Sequence, residues 1–115
     1  MHEASIVLSL LDTLTNRCKE EGYNSIESVR IKIGMASGIM PEAIVFAFEA
    51  AKQDTIARDA ELFIEMVPVG GSCSDCRNDF EVSEAYVVNC PLCGSHSFKI
   101  QKGYELDIVE MEVNE

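Results

Sequence analysis

Apolar residues recur at helical spacing near the start of the chain. Val7, Leu10, Leu11, Leu14 and Cys18 share one stripe, with Asp12, Asn16, Lys19 and Glu20 opposite. The pattern predicts an amphipathic helix over 4–21, ended by Gly22. The fifth cysteine, Cys18, lies on the apolar stripe and reads as a small core residue. From 27 to 33 the period changes to two: Val29, Ile31 and Ile33 face one side, Arg30 and Lys32 the other, as in a strand buried on one face. Gly34 and Gly38 bracket a turn, and Pro41 suits the first position of a second helix, 41–53, burying Ile44, Ala47, Phe48 and Ala51.

After a polar connection at 53–60, alternation at Leu62, Ile64 and Met66 predicts a strand over 61–67. Pro68, Gly70 and Gly71 then break the pattern. Short strands are expected around 79–82, 86–89 and 97–101, followed by a long strand at 104–113. In that strand the apolar phase slips from Leu106 and Ile108 to Val109, Met111 and Val113, which predicts a bulge near Val109–Glu110. Two helices then cover a three-stranded sheet, and the fold class is α+β. Residues 1–67 plus 103–115 form the main lobe, and 68–102 are an inserted zinc-ribbon-like lobe too short for an apolar core of its own.

That lobe carries the strongest chemistry. Cys73-x-x-Cys76 and Cys90-x-x-Cys93 are separated by thirteen residues, a spacing that suits two knuckles closing on one tetrahedral metal. Four soft, anionic thiolates describe a structural Zn²⁺ site with no open position for water or substrate. Pro91 presets the second turn and Gly94 takes positive φ cheaply. Arg77 stands where glycine would be easiest, at a cost of roughly 1–2 kcal/mol if left-handed. An iron–sulfur cluster matches the same ligand count. Disulfides need an oxidising compartment, and the chain opens Met1-His2-Glu3 with no signal segment. A redox C-x-x-C normally occurs once, near a βαβ pattern.

Charge narrows the partners. Nine basic against twenty acidic residues, a formal charge of −11, provide no cationic footprint for nucleic acid. No apolar run reaches the length of a membrane span, so a cytoplasmic protein without membrane association is expected.

The amino terminus is the second candidate metal site. Methionine is retained ahead of a residue as large as His2, so a free amine on Met1 is expected. That amine, the His2 amide and the His2 imidazole form fused chelate rings, and square-planar nitrogen donors favour Ni(II) or Cu(II). Glu3 supplies a fourth donor through its amide nitrogen or carboxylate. A terminal histidine is by default merely solvated, and His96, three residues past Cys93, reads as a surface residue.

Together these features resemble the HypA/HybF family of hydrogenase nickel-incorporation proteins, over the whole chain. The resemblance is carried by Met1-His2-Glu3 before a helix, Ile31-Lys32-Ile33-Gly34, Ser37-Gly38, Pro41-Glu42-Ala43, Phe46-Ala47-Phe48-Glu49, the cysteine pairs and Gly103-Tyr104-Glu105-Leu106. It implies nickel at His2 assisted by Met1 and Glu3, and zinc at Cys73, Cys76, Cys90 and Cys93. It also implies a non-enzymatic metallochaperone delivering Ni(II) to the large subunit of [NiFe]-hydrogenase. The implied partner is the family's nickel-binding GTPase, HypB, and some relatives also serve urease maturation. Met35 departs from the acidic residue usual after Gly34. A zinc-stapled adaptor without a nickel site is the alternative. A hydrolase or redox enzyme lacks support, because no nucleophile–base pair or catalytic histidine motif is present.

Overall fold

The computed structural model describes residues 3–114. The order of elements is α1 (Glu3–Glu21), β1 (Ser25–Gly34), α2 (Pro41–Ala51), β2 (Glu61–Val67), β3 (Val69–Cys73), β4 (Asp79–Val82), β5 (Phe98–Lys102) and β6 (Leu106–Asn114). They form two three-stranded sheets, ordered β2-β1-β6 and β4-β3-β5, and the α+β class holds. The chain divides into two compact units, residues 1–31, 39–64 and 108–115, and residues 32–38 and 65–107.

The first unit is organised by its helices. Val7, Leu11, Leu14 and Cys18 of α1 are buried, as the stripe requires, and α1 packs on α2. Ile44 and Phe48 of α2 are fully buried, and so is Val29 of β1. Fully burying side chains of this size contributes ~1.5–3 kcal/mol each. On the other side of β1, Arg30 pairs with Glu110 at 3.1 Å and lies over the Phe63 ring at 5.2 Å. Helix α2 stops at Ala51 instead of 53, because Lys52 is drawn inward: its Nζ donates to Ala60 O at 2.8 Å and to Glu49 Oε1 at 3.0 Å.

In the second unit β3 is the central strand, antiparallel to both β4 and β5. This corrects the expectation that Gly70 and Gly71, with Pro68, break the strand pattern before the first knuckle: both glycines lie within β3. At Gly71 the neighbouring backbone comes too close for a side chain. A Cβ on Gly71 would stand 2.3 Å from Lys99 O. The ladder shifts register between Gly70 and Gly71. No strand forms at 86–89, where Tyr86 and Val88 are exposed and only Val87 packs on the cysteine cluster. Val88 O instead contacts His96 Nδ1 at 3.2 Å as the chain bends toward the second knuckle.

The turn at 32–38 belongs to this second unit. Met35 N–H donates to Val67 O at 2.9 Å and Ala36 N–H to Gly103 O at 2.8 Å. A Cβ on Gly34 would lie 2.0 Å from Gly103 O, so this crossing admits only glycine. In β6, Leu106, Ile108 and Val109 are exposed and only Met111 and Val113 turn inward, because β6 lies at an end of its sheet. Met66 is exposed as well, with Val67 half-buried in its place.

Candidate metal centre

Each knuckle folds the same way. Cys73 N–H donates to Asn78 O at 3.0 Å, and Arg77 N–H to Cys73 O at 3.0 Å. The second repeats both bonds, Cys90 N–H to Ser95 O and Gly94 N–H to Cys90 O, each at 2.8 Å. The residue after each second cysteine is left-handed, Arg77 at φ 61° and Gly94 at φ 79°. Only the glycine adopts this without strain.

The two turns bring Cys73, Cys76, Cys90 and Cys93 together, with all four sulfurs within 4.8 Å of one another. Cys73 Sγ and Cys93 Sγ are 3.6 Å apart, and Cys76 Sγ and Cys90 Sγ 3.8 Å. Sulfurs held ~2.3 Å from a tetrahedral ion stand about 3.8 Å from each other, so the spacing fits one. It is far beyond the ~2.05 Å of a disulfide, and all five cysteines are free. Behind the sulfurs, Phe80 meets Phe98 edge-on, with ring centroids 5.9 Å apart. Val82, Val87 and Ile100 complete a small apolar backing around buried Cys73 and Cys90.

The surroundings of the sulfurs set the ease with which each thiol ionises. The Cys76 N–H aimed at Cys73 sulfur, helped by the Asp75 N–H, outweighs burial and brings Cys73 down to about 7. The Ser95 N–H pulls Cys93 the same way. Burial and hydrogen bonds to the sulfurs of Cys73, Cys76 and Cys90 prevail, however, and Cys93 is pushed up to about 12. One thiol ionises readily and the last resists, because burial and the hydrogen bonds among the sulfurs favour its protonated form. The cluster's chemistry is to take up a soft cation and release protons.

Two residues that the sequence did not single out hold the knuckles to each other. Ser95 Oγ donates to Asp75 Oδ2 across the site, and Ser97 N–H donates to Ser95 Oγ at 2.9 Å. Ser74 N–H adds a bond to Ser97 O at 2.8 Å. Short polar residues inside metal knuckles are common, so spacing alone could not reveal this clamp. Cys18 is fully buried, 3.8 Å from Met111 Sδ, and burial pushes its thiol pKa up. His96 is exposed. Met1 and His2 lie outside the described residues; Glu3 begins α1, and its Oε2 accepts from Met40 N–H at 3.3 Å.

A small α+β chain with a closed four-cysteine cluster has the donor set of a metal-binding protein. Residues 1–113 match the family model described as hydrogenase/urease nickel incorporation, metallochaperone, HypA. The hydrogenase maturation factor HypA of Geobacter metallireducens is 39% identical over 98% of this chain and 99% of its own length. That of Chlorobium luteolum is 38% identical over 100% and 97%. The solution structure of the Ni metallochaperone HypA from Helicobacter pylori superposes with a TM-score of 0.70 at 30% identity, covering 99% of this chain and 98% of that one. The chain belongs to the HypA family of nickel metallochaperones for hydrogenase maturation. Among the described residues no helix is long and apolar enough to cross a membrane.

Proposed function

We propose that this chain binds Ni(II) through Met1, His2 and Glu3 and delivers it to the large subunit of [NiFe]-hydrogenase. Zn²⁺ is held permanently by Cys73, Cys76, Cys90 and Cys93. Support for the zinc assignment is the tetrahedral spacing of the four sulfurs. Zinc fills the cluster without redox chemistry and leaves no coordination position for substrate, so the role is carriage and not catalysis.

The nickel assignment rests on family membership and on donor chemistry at the terminus. Since the Glu3 carboxylate already accepts from Met40 N–H, its amide nitrogen is the favoured fourth donor. Protonation of amine and imidazole competes with the metal, which suits a carrier that must let go. Functionally, residues 1–67 plus 103–115 are the nickel lobe and 68–102 the zinc lobe. The partner is the nickel-binding GTPase HypB, in the cytoplasm, with urease maturation proteins as further recipients in organisms that have them.

Ni(II) calorimetry on zinc-loaded protein with its native terminus tests this. About one nickel per chain is expected, lost in His2→Ala and weakened by any extension ahead of Met1. Equal binding in wild type and His2→Ala, or none in either, moves the site elsewhere and favours a zinc-stapled adaptor.

A further inference from the structure

Helix α2 carries more apolar surface than its core stripe uses. Ile44 and Phe48 fill the interior, yet Val45 and Phe46 beside them are 41% and 79% exposed. Phe46 is among the most exposed of the large apolar side chains in the described residues, and such a ring is usually covered by something. With Pro41, these two residues form one wall of a groove of about 570 Å³. The other wall is Leu62 and Ile64, alternate residues on one face of β2. Glu42 and Glu49 line the same groove. Lys52 engages one oxygen of Glu49, and the rim keeps a negative balance.

The second wall decides what fits. β2 stands at the end of the sheet order β2-β1-β6, so its outer backbone edge is the side on which a further strand adds. A groove between a helix and an edge strand takes an extended peptide. Main-chain hydrogen bonds run to the strand, and alternate side chains drop into the apolar floor. We infer that this groove is a docking site for an extended segment of a partner protein, with apolar side chains at alternate positions and lysine or arginine between them. The basic residues answer the glutamates at the rim and the net charge of −11. None of the seven residues lining the groove is a proposed metal ligand.

A phage-displayed library of random heptapeptides panned on the full chain tests the inference. The expected consensus alternates apolar residues with Lys or Arg. The selected peptide is expected to lose at least tenfold in affinity against Phe46→Asp and against Val45→Asp, both made at exposed positions. N-methylation of the alternate peptide nitrogens that face β2 is expected to abolish binding, and methylation of the others to spare it. Unchanged circular dichroism and metal content would show that the variants still fold. No enrichment, a helical or acidic consensus, or binding indifferent to both variants would overturn the proposal. Self-association of the chain that disappears in Phe46→Asp would also overturn it, assigning the groove to a second copy.

Discussion

The two compact units solve the problem of stability by different means. The first buries side chains from two helices and a sheet face around Val7, Leu14, Val29, Ile44 and Phe48. The second has Cys73, Phe80 and Cys90 as the buried members of its cluster, and two of these three are candidate metal ligands. An apolar core loses stability in proportion to the atoms removed. A four-ligand site is closer to all or none, because structural zinc contributes ~10–16 kcal/mol in small domains and three thiolates do not reproduce it. Damage to the first unit is therefore graded, whereas damage to the second is abrupt.

The sharpest test of that contrast is Cys90→Ser. Metal content is expected to fall from about one per chain to near zero, and amide dispersion in residues 72–102 to collapse. The signals of the helical unit are expected to change less. A well-dispersed spectrum of 72–102 without metal would erase the distinction between the units. Next in size is Phe48→Ala, expected to cost ~3–5 kcal/mol in chemical denaturation through the cavity left behind. Metal stoichiometry in the folded protein is expected to be unchanged, and loss of metal would show that the units are not separable in this way.

Smaller effects sharpen the account of the knuckles. Ser95→Ala removes the hydroxyl that joins Asp75 to the second knuckle and accepts from Ser97 N–H. A cost of ~0.5–1.5 kcal/mol is expected, with metal released several-fold faster to a competing chelator. Ser95→Thr, which keeps the hydroxyl, is expected to restore the slow release. An unchanged release rate in Ser95→Ala would mean that the ligands alone hold the site. The smallest effect is expected from Arg77→Gly. It relieves a left-handed residue at φ 61° and is expected to stabilise the knuckle by less than about 1 kcal/mol, since glycine's unfolded-state entropy offsets part of the relief. Destabilisation would mean that the arginine side chain contributes more than its backbone costs.

The sequence was most legible where one short-range rule governs. The stripe Val7, Leu11, Leu14 and Cys18, the alternation Val29, Ile31 and Ile33, and the two cysteine pairs each stated their own geometry, and each was found. Arg77 stands where glycine would be easiest, and it is left-handed at φ 61°. Val45 and Phe46 also left a signal, as apolar residues outside the core stripe of their helix.

Other features depend on residues distant in the chain. Gly70 and Gly71 look like chain breakers until β4 and β5 are known to flank them, when the lack of a side chain at Gly71 becomes the condition for a central strand. Leu106, Ile108 and Val109 look like core residues until β6 is known to end its sheet. The two helices, most of the strands, the grouping of the four cysteines and the family resemblance were all readable from the chain alone, because periodicity and ligand spacing are local quantities. Packing settled which strand is central, which apolar residues stay in water and which serine and aspartate clamp the knuckles. Those depend on the close approach of segments that the chain order keeps apart.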